Sequence, residues 1–366
     1  MIFKYQKHIA DGQATLPVVS AVAFVVWVLL PVKECSMSFS GVEYGLWDYV
    51  PRFLKEGYWA QGMGIGCVAL VVYLMAELNN ANVLLRVNSR MLSSMLVLLL
   101  LFVYPCLDFQ PGSVVMFLVL LSYFPLMASY QHPNPIYAFE TFLLISLASL
   151  VFPKMLWLTP LYWFLQSYLR TFSIRCFAAS VLALILPYWI YAGVAFVQGL
   201  WPDFLAHVCS IVDVKWGVCA FLDVRNMLTF GFVLILFVSG TIDFFVNRLK
   251  DKTRTRILYN SLIIHGIYIS VLILYFPYLF WTFLLLLLID TAIVFGHYFT
   301  LTHTKFSHIY CLALLLIALA FGVYRYVPDF FHAFNLKDLI QWSLYISFSS
   351  FIVTGAWGLP RFLLEH

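Results

Sequence analysis

Runs of about 20 apolar residues recur along the whole chain, and that repetition decides the class of fold. A helix of that length, rising 1.5 Å per residue, crosses the roughly 30 Å hydrocarbon core of a bilayer. By this ruler spans are expected near 15–32, 58–77, 92–107, 113–130, 137–153, 155–169, 176–198, 226–246, 257–277, 278–297, 306–326 and 339–358. Lipid offers the backbone no hydrogen-bond partners, so runs of this length must be helices that bond internally. The expectation is an all-α transmembrane bundle of about 12 spans (10–12), forming one domain over 1–366 without a soluble domain. Composition points the same way, with 63% hydrophobic and only 10% charged residues. Soluble domains hold about 25% charged residues, and a soluble fold has too little interior to hide so much apolar surface. The pieces at 92–107 and 155–169 are short, so whether they cross fully stays open at this stage.

The charges orient the bundle. With the N-terminus inside, most of the 21 Lys and Arg fall in inner segments, while the acids lean to outer ones. This is the positive-inside pattern, and it places both termini in the cytoplasm. The densest cluster, Arg248, Lys250, Lys252, Arg254 and Arg256, lies between two apolar runs and reads as a topology signal. Lys4 and Lys7 precede the first apolar run, but no small-residue cleavage pattern follows it, so the run is read as a retained span. A net charge of +4 without a separate basic run gives no sign of a nucleic-acid partner. Most of the seven Cys fall in or beside apolar runs, where Cys behaves as a small hydrophobe. Cys209 and Cys219 share an outer loop and are a candidate disulfide pair.

Two outer loops, about 33–57 and 199–225, are too long for turns. Leu46, Val50, Phe53 and Leu54 share a helical face in the first, with Pro51 suited to a helix start. Phe204, Val208, Ile211 and Val212 repeat the pattern in the second. Both are expected to be interfacial helices on the outer leaflet.

No Walker A run, GxSxG, HExxH or GxGxxG fingerprint occurs, which argues against the common ATP-driven and zinc-protease chemistries. No cofactor is implied. Charges at membrane depth are costly and mark function by default. The intramembrane polar candidates are Glu140, Asp243 and Asp290, with His265 and His297. Glu140 and Asp243 lie near inner span ends, within reach of water. Asp290 is deeper, and His297 lies two helical turns further on the same face. An Asp290–His297 pair would relay protons in a transporter or serve as an interhelical hydrogen bond, and His265 of the preceding span is another partner. The spacing of His297, His303 and His308 matches no metal site.

The outer side offers different chemistry. Glu43 and Asp48 are carboxylates suited to act as a general base on an acceptor hydroxyl or amine. Arg52, Lys55, Arg225 and Arg325 are cations able to hold a lipid phosphate. The bland alternative is ordinary headgroup-level charge among interfacial aromatics.

Two resemblances bear on this. From Asn79 to Gly199, about a third of the chain, the sequence resembles an uncharacterised family of bacterial inner-membrane proteins. It does so through Asn79-Asn80, Arg86 with Arg90, Ser93-Ser94, Phe139-Glu140, Leu147-Ala148-Ser149-Leu150 with Pro153, Pro160-Leu161-Tyr162-Trp163, Arg170, Arg175 and Leu186-Pro187-Tyr188. The order of elements is also similar to the GT-C superfamily of polytopic glycosyltransferases: a cytoplasmic N-terminus, one span, then an outer loop with interfacial helices that carries the catalytic carboxylate. By position Glu43 or Asp48 matches that acid. The pattern departs in having the two acids five residues apart, where the superfamily commonly has adjacent acids, and in lacking a periplasmic domain after the spans.

Three readings follow. One is a transferase at the outer face of the inner membrane, acting on a polyprenyl-phosphate-linked lipid in the cell envelope. The second is a transporter or lipid flippase with a midplane site around Asp290. The third is a non-catalytic membrane protein partnering a cell-envelope complex. Membrane lipids are partners in all three.

Overall fold

The computed structural model describes residues 15–29, 47, 49–55, 57–85, 89–103, 109–212 and 224–301, with 310, 313, 316 and 317 besides. Every regular element among them is helical. In chain order they are α1 (Thr15–Leu29), the four-residue α2 (Arg52–Lys55), α3 (Gly57–Asn82), α4 (Met91–Val103), α5 (Pro111–Ala128) and α6 (Pro135–Val151). A 3-10 turn (Pro153–Leu158) leads into α7 (Thr159–Tyr168), followed by α8 (Ile174–Gln198), α9 (Trp201–Ser210) and α10 (Val224–Asn247). After a 3-10 turn (Arg248–Lys250) come α11 (Thr253–Tyr275), a third such turn (Pro277–Leu279) and α12 (Phe280–Leu301). Helices α3, α5, α8, α10, α11 and α12 are long and apolar enough to cross a membrane, while α1, α4 and α6 are shorter apolar helices. The protein is a multi-pass integral membrane protein. The spans expected near 306–326 and 339–358 lie largely or wholly outside the described residues.

Local chemistry sets the ends of these helices. Pro111 and Pro135 occupy first-turn positions, where a missing N–H costs nothing. The Asn134 side chain accepts from Ile136 N at 3.0 Å, and Ser173 Oγ accepts from Cys176 N at 3.2 Å. These caps satisfy amides that the first turn leaves without an intrahelical partner. Helix α8 stops at Gly199, whose φ of 73° is the left-handed cap that glycine adopts without penalty.

The short segment at 153–168 is a 3-10 turn continued by a ten-residue α-helix. Six residues of 3-10 helix and ten of α-helix span roughly 27 Å. It runs antiparallel to α11, fixed at both ends. Tyr268 Oη donates to Trp157 O at 2.7 Å, and Asn260 Nδ2 donates to Tyr168 Oη at 2.9 Å.

Helix α12 is the axis of the bundle, packed by α4, α5, α10 and α11. Nineteen of its 22 residues are buried. A helix that is apolar all round belongs inside, and here four neighbours enclose it. Glycines allow the close approach. A Cβ on Gly240 of α10 would stand 3.0 Å from the α12 backbone at Val294 and Phe295. A Cβ on Gly112 of α5 would meet Leu285 at 3.2 Å. Small residues at helix crossings are the usual way to gain packing in lipid, where hydrophobic driving force between helices is absent. By contrast α8 packs mainly on α6 and leaves Trp189, Phe196 and Val197 exposed for lipid.

The second of the two loops expected to hold interfacial helices contains α9, and Phe204, Val208 and Ile211 are half-buried beside the buried His207. Phe204 and His207 pack on the α8 ring of Tyr191, while Val212 is exposed. The helix in the first is only the four-residue α2 among the described residues, started after Pro51. Phe53 there is exposed, and Trp47 is the buried residue, packed on Phe109 at 5.1 Å.

Candidate functional site

Asp290 lies at the middle of α12, roughly 15 Å from either helix end, and is fully buried. His265 sits at the middle of α11, with its Nδ1 2.7 Å from Asp290 Oδ2. Tyr123 of α5 donates its hydroxyl to Asp290 Oδ1 at 2.8 Å, and the Tyr123 hydroxyl oxygen is 2.9 Å from His265 Nδ1. Three helices therefore meet at one triangle of buried polar groups deep inside the bundle. With Asp290 ionised, His265 Nδ1–H donates to the carboxylate, which fixes the imidazole tautomer.

The surrounding shell explains why the triangle forms. Gly266, beside His265, lets α11 close on α12; a Cβ there would lie 2.6 Å from the Phe237 ring and 3.4 Å from Asp290 Cβ. Tyr162 of α7 meets the His265 ring edge-on at 5.8 Å. Its hydroxyl is 2.9 Å from Ser122 Oγ, which itself donates to Val119 O at 2.7 Å, so the tyrosine is the donor of that pair. The opposite nitrogen of His265, Nε2, is buried and makes no hydrogen bond among the described residues.

Charge accounting gives the triangle its chemical character. An ionised Asp290 with neutral His265 and Tyr123 carries one net negative charge. Among the described residues no Lys or Arg contacts it. An uncompensated charge at the bilayer centre is costly. One added proton, held on the carboxyl or on His265 Nε2, makes the cluster neutral overall.

The expected pairing of Asp290 with His297 is not what the structure has. A shared helix face puts the two residues on one line, but each faces a different neighbour. His297 Nε2 stands 3.5 Å from Asp251 Oδ2, and its ring packs on Tyr259 and Phe244. Glu140 is exposed on α6. Asp243 is half-buried near the end of α10 and accepts from Asn247 Nδ2 at 2.9 Å.

Of the outer candidates, Glu43, Asp48 and Arg325 lie outside the described residues. Arg52 opens α2, and Arg225 lies in the first turn of α10. The Lys55 ammonium is 5.7 Å from the Trp47 ring centroid. Cys209 is exposed on α9, and Cys219 lies outside the described residues. Among the described residues no cluster of three metal-binding side chains occurs.

Sequence reading missed Tyr123, one of 22 tyrosines. The available signal was Ser122-Tyr123, a polar pair deep inside an apolar run. Reading also missed His207, which sits between the Tyr188 and Tyr191 rings. Burial pulls its pKa down to about 4, partly offset by the Ser149 backbone.

Several residues behind the family resemblance prove to be interhelical fasteners. Asn79 bonds both Ser89 O and Leu85 N, closing the turn between α3 and α4. Ser149 pairs with Tyr188 at 2.9 Å, and Trp163 Nε1 donates to Ser180 Oγ at 2.9 Å. No protein-family model, curated protein or solved structure matches this chain.

Proposed function

We propose that this protein is a membrane carrier driven by protonation of the Tyr123–His265–Asp290 triangle. One observation carries the reading: a fully buried carboxyl deep inside the bundle whose bonded partners, among the described residues, are a histidine and a tyrosine. Such a group changes net charge by exchanging one proton, and loss of that proton favours a cation or water in its place. A permanent interhelical lock makes the opposite forecast, because it never changes protonation. Infrared difference spectroscopy of the protein in nanodiscs, stepped in pH, separates the two. The carrier reading requires a carboxyl band that titrates and disappears in Asp290→Asn. Proteoliposomes with a trapped pH indicator, challenged with inorganic and amphiphilic cations, then report coupled proton movement. Asp290→Asn should abolish that movement while leaving the yield of folded protein near wild type.

A second reading, a GT-C-like transferase on polyprenyl-phosphate-linked substrates, is favoured by the outer end of the bundle. Two short elements sit there, α2 before α3 and α9 after α8. Lys154 Nζ and Trp157 Nε1 donate to the last carbonyls of the α9 segment, at Ser210 and Ile211. The carboxylates of this reading are Glu43 and Asp48. Glu43→Gln and Asp48→Asn should abolish transfer from a polyprenyl-phosphate sugar without loss of folded protein. Unchanged transfer in both variants would remove the catalytic assignment.

A further inference from the structure

The turn from α10 to α11 carries five cations in nine residues, Arg248 to Arg256. Topology alone requires only that such charges stay on one side of the membrane. Their arrangement goes further. The one acid in the stretch, Asp251, is turned inward against His297 and only 5% exposed, so the outer surface of the turn is cationic. Neither carboxylate–cation pair found among the described residues involves these five side chains. The acid one turn below, Asp243, is bonded by Asn247, which also accepts from Lys250 Nζ at 2.8 Å. The amide thus stands between the two charges and holds the lysine in place.

Below the turn runs an unbroken apolar stripe on α10. Ile235, Val238, Ile242 and Val246 are exposed at helical spacing, and Leu249 extends the line onto the turn at 80% exposure. Arg248 is fixed at the head of the stripe, its guanidinium 6.0 Å from the Phe245 ring centroid. Fixed cations directly above an exposed hydrocarbon-facing stripe complement both parts of one molecule, an anionic headgroup and its acyl chain.

We propose that the α10 stripe and the Arg248–Lys250–Lys252 head form a binding site for an anionic phospholipid of the adjoining leaflet. The site lies apart from the Tyr123–His265–Asp290 triangle and does not depend on it. Arg170 and Arg175, also exposed at this end of the bundle, provide the internal control, because they belong to the turn between α7 and α8 instead.

The test is native mass spectrometry of protein taken from nanodiscs of equal phosphatidylglycerol and phosphatidylcholine. Wild-type protein should retain phosphatidylglycerol preferentially, and raising the salt concentration should weaken that preference. In R248Q/K250Q/K252Q the preference should fall about tenfold or more, while R170Q/R175Q stays like wild type. Equal retention of the two lipids by wild-type protein overturns the proposal, and that arm needs no variant to fold. Equal loss in both variants also overturns it, since it would mean a diffuse surface field and no site.

Discussion

Helices α12 and α8 are both long and apolar, yet they occupy opposite places. Nineteen of the 22 residues of α12 are buried, while α8 buries six of 25. The six on α8, Cys176, Ser180, Ala183, Pro187, Tyr191 and Ala195, form a narrow seam at helical spacing; the rest of the helix is left to lipid. Hydrophobicity does not separate the two, because lipid and protein interior are equally apolar. What separates them is polarity at depth. Helix α12 carries Asp290, Thr291 and His297 along its buried length, whereas α8 has no charged residue beyond Arg175. A polar side chain in a span must face protein, so it marks the axis of the bundle.

Substitutions can break or sharpen this contrast. The largest effect is expected at the triangle. His265→Ala strips Asp290 of one partner and leaves a buried carboxyl short of a donor, costing about 3–5 kcal/mol by analogy with broken buried pairs. His265→Leu with Asp290→Leu together should recover much of that loss, read as thermal stability in detergent. Next comes the α10–α12 crossing. Gly240→Ala places a Cβ against α12 backbone and should cost about 1–3 kcal/mol. On α8, Gly193→Ala meets nothing within 4 Å and should be neutral or stabilising by up to about 1 kcal/mol. If the two alanines behaved alike, the contrast between axis and periphery would be wrong.

A smaller effect concerns pH at α9. His207 is held neutral, with its pKa lowered to about 4 from an ordinary 6.5. The undocked helix therefore binds a proton that the docked one refuses. Docking is at full strength above pH 6.5, weakens as pH falls toward 4, and levels off below. Hydrogen exchange over 201–212, corrected for intrinsic rates, should rise across that window, and His207→Leu should flatten the response. The smallest effect is at Trp189, which is 76% exposed; Trp189→Leu should change stability by no more than about 0.5 kcal/mol.

Spans were legible because apolar run length is a local property. The run read at 176–198 is Ile174–Gln198, and 226–246 lies within Val224–Asn247. The exact ends, set by Asn134, Pro135, Ser173 and Gly199, were not read from run length alone, although their effects are also local. Asp290 stood out as a costly charge in an apolar run. Of its partners, His265 of the preceding span was a candidate and Tyr123 was not, because a helical wheel ranks residues on one helix and cannot say which neighbours close around it. The wheel favoured His297, while packing chose His265 and added Tyr123. The expected face of α9 left out His207 for a related reason: an apolar pattern omits a histidine that aromatic rings can bury.

The most direct test of the central claim is the infrared carboxyl signal of Asp290 in nanodiscs, followed through the pH range over which the protein stays folded. The account predicts a band that appears and vanishes reversibly with pH and is absent from Asp290→Asn. A signal that stays constant throughout, with Asp290→Asn changing only stability, would contradict it and leave the triangle as a fixed joint between α5, α11 and α12.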